Sequence, residues 1–157
     1  MTLGNTLQGE LRLRNRSESR RLDKSRARSS SALMMNRSFL ALTALMFLAF
    51  GLWSLVDPIG MTSRLGVEAG GISGVFEMRG VFGGVSLGAA ALCALGAFQQ
   101  RFEFPALCFV AAYMGGYVIG RGASFIAGDT ALASNWYFSG FEAVMCLIAI
   151  TLITRTK

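Results

Sequence analysis

Four apolar runs dominate the sequence and leave few choices of fold. They cover roughly residues 38–56, 75–98, 104–127 and 136–153, each near the length of about 20 residues that a helix needs to cross a hydrocarbon core of about 30 Å. A segment inside lipid has to satisfy its own backbone hydrogen bonds, so the runs are predicted as helices. Polar joints connect them. The segment "DPIG" ends the first run, with Asp57 and Pro58 marking a turn, and "QQRFE" separates the second run from the third. Consecutive helices joined in this way pack antiparallel, so the expected fold is all-α, an integral membrane antiparallel four-helix bundle.

The composition agrees, with 53% hydrophobic residues against 15% charged and a mean hydropathy of +0.50. The charge is not spread evenly. Residues 1–35 form a basic, Arg/Ser-rich tail holding Arg12, Arg14, Arg16, Arg20, Arg21, Lys24, Arg26 and Arg28. Such a segment buries too little apolar surface to offset its ordering entropy, and a disordered or partly helical tail is expected, with the folded domain at 36–157. Attraction of about 1 kcal/mol per basic residue near a membrane surface makes anionic lipid its expected partner. Nucleic acid is not an expected partner, because no aromatic residue is interleaved with the arginines. The tail also fits a topogenic segment or an Arg/Ser-rich transit peptide, and "MMNRSFLALTALMFLAF" would itself serve as a start, at Met34 or Met35.

Four spans put the tail, the 99–103 joint and the C-terminal "RTK" on one side of the bilayer. That side holds most of the 15 Lys and Arg residues, so both termini are expected to be cytoplasmic. Trp53, Trp136 and Tyr137 then fall at the opposite interface, where amphipathic rings are favoured.

Glu77, Arg79, Arg121 and Glu142 share one layer near the non-cytoplasmic face, rimmed by Asp57 and Asp129. Arg121 lies six residues before the end of its run and Glu142 six after the start of its own, a depth of about 9 Å for each. An unpaired charge there would be costly, so the two are expected to pair. Glu77 and Arg79 stand about 200° apart around a helix. Glu77 shares its face with Gly80, Gly84 and Gly88 and is expected to point into the bundle, while Arg79 reaches sideways or up to the interface. The layer reads either as a lock on helix register or as a polar pocket for a headgroup, a small ligand or a proton.

Gly80, Gly84 and Gly88, and likewise Ala112, Gly116, Gly120 and Ser124, recur every four residues. Small residues at that spacing let helix backbones approach closely, and they also leave room for a bound lipid or quinone. Phe109, Tyr113 and Tyr117 read as core or lipid contact. There is no histidine, and Cys93, Cys108 and Cys146 lie inside apolar runs without metal-ligand spacing. No catalytic residue, metal or cofactor is therefore expected.

The segments "FLALTALMFLAFGLWSLVDP", "FEMRGVFGG", "GRGASFIAGD" and "FSGFEAVM" together resemble the bacterial four-span family catalogued as domain of unknown function 4345, itself similar in outline to DoxX-like membrane proteins. The resemblance covers about residues 36–157 and places the Glu-x-Arg element at Glu77 and Arg79, the Gly-Arg element at Gly120 and Arg121, and the late glutamate at Glu142. It implies a four-helix fold in the bacterial inner membrane and brings no activity with it. The expected role is that of a small structural or accessory subunit, in a larger membrane complex or a homo-oligomer. The alternative is a ligand-handling protein, in quinone- or lipid-linked redox work or small-molecule transport. A sealed charged layer favours the first role, and a cavity reaching Glu77, Arg121 and Glu142 favours the second.

Overall fold

A computed structural model of the chain describes the backbone of residues 3–68 and 71–155, and within these the side chains from Ser30 onward apart from Ile72. All elements are helical: α1 (Leu3–Val56), α2 (Pro58–Arg64), α3 (Gly71–Met78), a π-helical segment (Arg79–Gly84), α4 (Val85–Phe98), α5 (Gln100–Ala127) and α6 (Ala133–Arg155). Four stretches are long and apolar enough to cross a membrane: Ser30–Val56, Ser73–Phe98, Gln100–Ala127 and Ala133–Arg155. By its contacts the chain divides into Met1–Met35 and Asn36–Lys157. The backbone of the expected tail is helical from Leu3, while the side chains through which it was expected to meet lipid lie outside the described residues.

The turns follow from local chemistry. Asp57 caps α2, its Oδ1 accepting from the Gly60 amide at 2.9 Å, and Pro58 opens the helix where a missing N–H costs nothing. At the far end of α5, Gly128 takes the left-handed conformation (φ 85°), and the amides of Gly128 and Asp129 donate to the carbonyls of Phe125 and Ser124 at 3.2 and 3.1 Å. This is a Schellman closure, which favours a residue without a Cβ. The α4–α5 turn is tighter than the sequence suggests, since Gln99 alone leaves helical geometry. As a consequence α5 starts before Phe104, and Pro105 falls in its second turn, where the Arg101 carbonyl loses its helical partner.

The core lies toward the end of the bundle that holds the α4–α5 turn. Leu40, Ala44 and Phe47 of α1 meet Ala89, Ala90, Cys93 and Ala97 of α4, Ala106, Leu107, Val110 and Met114 of α5, and Ala149 and Leu152 of α6. Close backbone approach occurs at three glycines that stand outside the expected series. A Cβ on Gly96 would lie 2.6 Å from the Ala106 Cβ, one on Gly83 2.6 Å from a Leu55 methyl, and one on Gly51 3.1 Å from the Gly83 carbonyl. By contrast Gly80, Gly84, Gly88, Ala112, Gly116, Gly120 and Ser124 are all exposed within this chain. The expectation that they pack the bundle is therefore corrected for contacts inside the chain. On the second span the series runs through the π segment, closed by the Val85 amide on the Gly80 carbonyl, whose wider turn departs from the α-helical period, and it is Gly83 that meets α1. On α5 the neighbour of α6 is Gly115, 3.4 Å from the Cys146 sulfur when given a Cβ.

Beyond Met114 no residue of α5 is buried, and on α6 the buried positions are Glu142, Ala149 and Leu152. The bundle is tight at one end and open at the other. Gly116, Gly120, Gly122 and Ser124 provide little side-chain volume with which α5 could fill the open end.

Candidate functional site: the open end of the bundle

Arg121 and Glu142 meet across α5 and α6 in a bidentate pair. Nε donates to Oε2 at 2.6 Å and Nη2 to Oε1 at 2.8 Å, the fork geometry in which guanidinium and carboxylate match best. The pairing expected from their similar depth is thus present, although α6 begins three residues earlier than its apolar run and the long arginine side chain spans the difference. The two side chains are unequally sheltered, with 32% of Arg121 and 10% of Glu142 exposed.

Three cavities share Arg121 in their walls. The first, of about 500 Å³, runs between α1, α4, α5 and α6 and is mostly aromatic, with Phe47, Phe82, Tyr113, Phe138 and Phe141 around Glu142 and Arg121. A second, of about 510 Å³, opens along Gly116, Gly120 and Ser124 toward Leu65 and Val67. In the third, of about 430 Å³, Asp129 and Asn135 face Trp136 and Phe125 at the α5–α6 turn. Part of the small-residue series on α5 therefore leaves space beside the ion pair.

An aromatic ladder supports the same wall. Phe47 meets Tyr113 edge-on at 5.5 Å, Tyr113 stacks on Phe109 at 5.4 Å, and Tyr113 meets Tyr117 at 5.2 Å. The two tyrosine hydroxyls stand 3.2 Å apart, so one donates to the other and the second proton is left for another acceptor. Tyr113 and Tyr117, read from the sequence as core or lipid contact, thus bring polar tips into an apolar cavity.

The other members of the expected layer do not converge on it. Glu77 is exposed within this chain, which corrects the expectation that it points inward. Arg79 is exposed and donates Nε–H to the Leu55 carbonyl at 3.1 Å, closing the C-terminal end of α1. Asp57 is occupied as a cap. Asp129 alone among these joins Arg121, in the wall of the third cavity.

One polar contact was missed. Asn36 Nδ2 donates to Glu103 Oε1 at 2.7 Å between α1 and α5, with Glu103 only 2% exposed and its Oε2 without a hydrogen-bond partner among the described residues. In the sequence Glu103 reads as part of the polar joint "QQRFE". The depth argument used for Arg121 and Glu142 matches it to Asn36, since both stand just before the same-side ends of their apolar runs. No group of His, Cys, Asp and Glu able to hold a metal ion occurs among the described residues.

A family model described as Domain of unknown function (DUF4345) matches residues 35–153. No curated protein and no solved structure matches the chain.

Proposed function

The chain belongs to the DUF4345 family, and because that description carries no activity we propose from the geometry alone that this is a ligand-handling membrane protein. Its ligand is a lipid-soluble small molecule held at the open end of the bundle, as in lipid- or quinone-linked redox work or small-molecule transport. The observation that carries the reading is that three cavities share Arg121, one of them reaching Glu142 as well. A pair that served only to lock register would be sealed by packing, since voids forfeit dispersion contacts. Mostly apolar walls with a few convergent polar groups are what a small-molecule site requires.

The location of the basic residues supports an orientation with both termini cytoplasmic, the cavities then facing the outer half of the bilayer; the bacterial inner membrane is what the family resemblance implies. The basic tail would hold anionic headgroups on the inner side. Gentle extraction followed by native mass spectrometry tests the reading. A bound small molecule distinct from bulk phospholipid, lost on Tyr113→Ala, is expected; protein that carries only bulk lipid would return the account to a structural role.

One observation favours an accessory subunit as the second reading. Gly80, Gly84 and Gly88 present an exposed small-residue face on the second span, the kind of surface against which a partner helix packs in lipid. Cross-linking through cysteine at Gly84 to another polypeptide in membranes would support it.

A further inference from the structure

We infer that the ligand's head is electrically neutral and presents hydrogen-bond acceptors, a carbonyl compound being the simplest case, and that Glu142 excludes anionic amphiphiles by neutralising Arg121. The inference rests on the proposed function above and specifies what that site takes.

It follows from counting donors and charges at one residue. A guanidinium has five N–H groups. Nε–H and one N–H of Nη2 are committed to Glu142, and these are the hydrogen bonds that Arg121 makes among the described residues. Both protons of Nη1 and the second on Nη2 therefore remain, forming a fork on the edge turned away from Glu142. With Arg121 about one-third exposed and in the walls of all three cavities, that fork has open space to serve. The Tyr113–Tyr117 pair adds one more free O–H. The site is rich in donors.

Its charge, however, is already cancelled. Glu142 neutralises Arg121 at direct contact, and Asp129 adds a further carboxylate to the wall of the third cavity. One cation and two carboxylates thus line the three cavities. A phosphate or carboxylate head entering the fork would be desolvated into a region with no net positive charge, which is unfavourable in a low-dielectric setting. A cationic head would find the carboxylates but would meet the donor fork and the free tyrosine proton head-on. A neutral acceptor satisfies the spare donors and brings no charge into the layer. The walls suit the rest of such a molecule, since Phe47, Phe82, Phe138 and Phe141 offer ring faces and edges to an apolar or planar body.

The test uses three amphiphiles with the same alkyl chain, ending in a methyl ketone, a carboxylate or a trimethylammonium group. Each is titrated against the full-length protein in neutral-lipid nanodiscs, with binding read by native mass spectrometry. The ketone should bind at least about tenfold more tightly than either ion, because charge brought to a neutralised pair gains nothing to offset its desolvation. Glu142→Gln keeps an acceptor for Nε–H but unmasks the charge of Arg121. In that variant the carboxylate probe should gain about tenfold or more, since hydrogen bonds to charged groups are roughly twice as strong as neutral ones. The wild-type comparison stands even where the variant fails to fold. A carboxylate or ammonium probe that matches or outbinds the ketone in the wild-type protein overturns the inference while leaving the ligand-handling reading in place. If none of the three binds, the ligand-handling reading itself fails.

Discussion

Substituting the two members of the ion pair should give unequal single effects and a nearly silent double. Arg121→Leu leaves Glu142 behind, and its side chain is only 10% exposed. Stranding a buried charge costs about 3–5 kcal/mol, and the poor access of Glu142 to water puts this variant toward the upper end. Glu142→Leu leaves Arg121, whose side chain is 32% exposed and borders three cavities. A long stem can carry the guanidinium toward water, so the loss should be smaller, about 1–3 kcal/mol. With both replaced by leucine, no charge is stranded and the layer becomes apolar, which is often neutral for buried pairs to within about 1 kcal/mol. The assay is reversible unfolding in mixed micelles, comparing the wild type with the two singles and the double. A coupling energy of about 2 kcal/mol or more is expected, with Arg121→Leu the most damaged protein of the four. Additive single losses would show that the residues do not meet, and a larger loss for Glu142→Leu would refute the argument from unequal shelter.

Glycine substitutions should divide by position. Gly96→Ala forces a Cβ to 2.6 Å from that of Ala106 and should cost about 1–3 kcal/mol, whereas Gly88→Ala meets nothing within 4 Å and should be neutral or up to about 1 kcal/mol stabilising; unfolding of the two variants checks both. Asn36→Leu removes the donor to a carboxyl that is 2% exposed and should cost at least about 1–3 kcal/mol, with much of the loss recovered in Asn36→Leu/Glu103→Leu; a double mutant no better than the single would contradict the pairing. A fluorescent protein fused after Lys157 should fluoresce in the cytoplasm of intact cells, and activity of a periplasm-only reporter at that position would reverse the assigned topology.

Architecture was legible because hydropathy and length act over whole segments. Each run is long enough that an error of a few residues at its ends leaves the helix count unchanged. The Arg121–Glu142 pair was legible for a related reason, since charges in adjacent antiparallel spans have few partners available at their depth. Helix rotation was harder to read. The glycine series on the second span assumed an unbroken α-helical period, and six of its residues, Arg79 to Gly84, are π-helical. No side chain in "RGVFGG" announces that wider turn. Glu103 was overlooked because a residue beside "QQR" reads as loop, yet a turn closed by Gln99 alone carries it into α5. The cavities had a partial signal in Gly116, Gly120 and Ser124, but small residues stand equally for contact and for space. Which one they provide depends on where the neighbouring helix lies, a tertiary fact.

The central claim is that the bundle opens around Arg121 to hold a ligand, and a high-resolution map of the full-length protein in a lipid nanodisc tests it most directly. The account predicts continuous non-protein density against Phe47, Tyr113 and Phe138, with a polar end within hydrogen-bond distance of the Arg121 fork opposite Glu142. A closed bundle, in which Phe50, Tyr117 and Phe141 fill that volume and the ion pair is sealed among side chains, would contradict it.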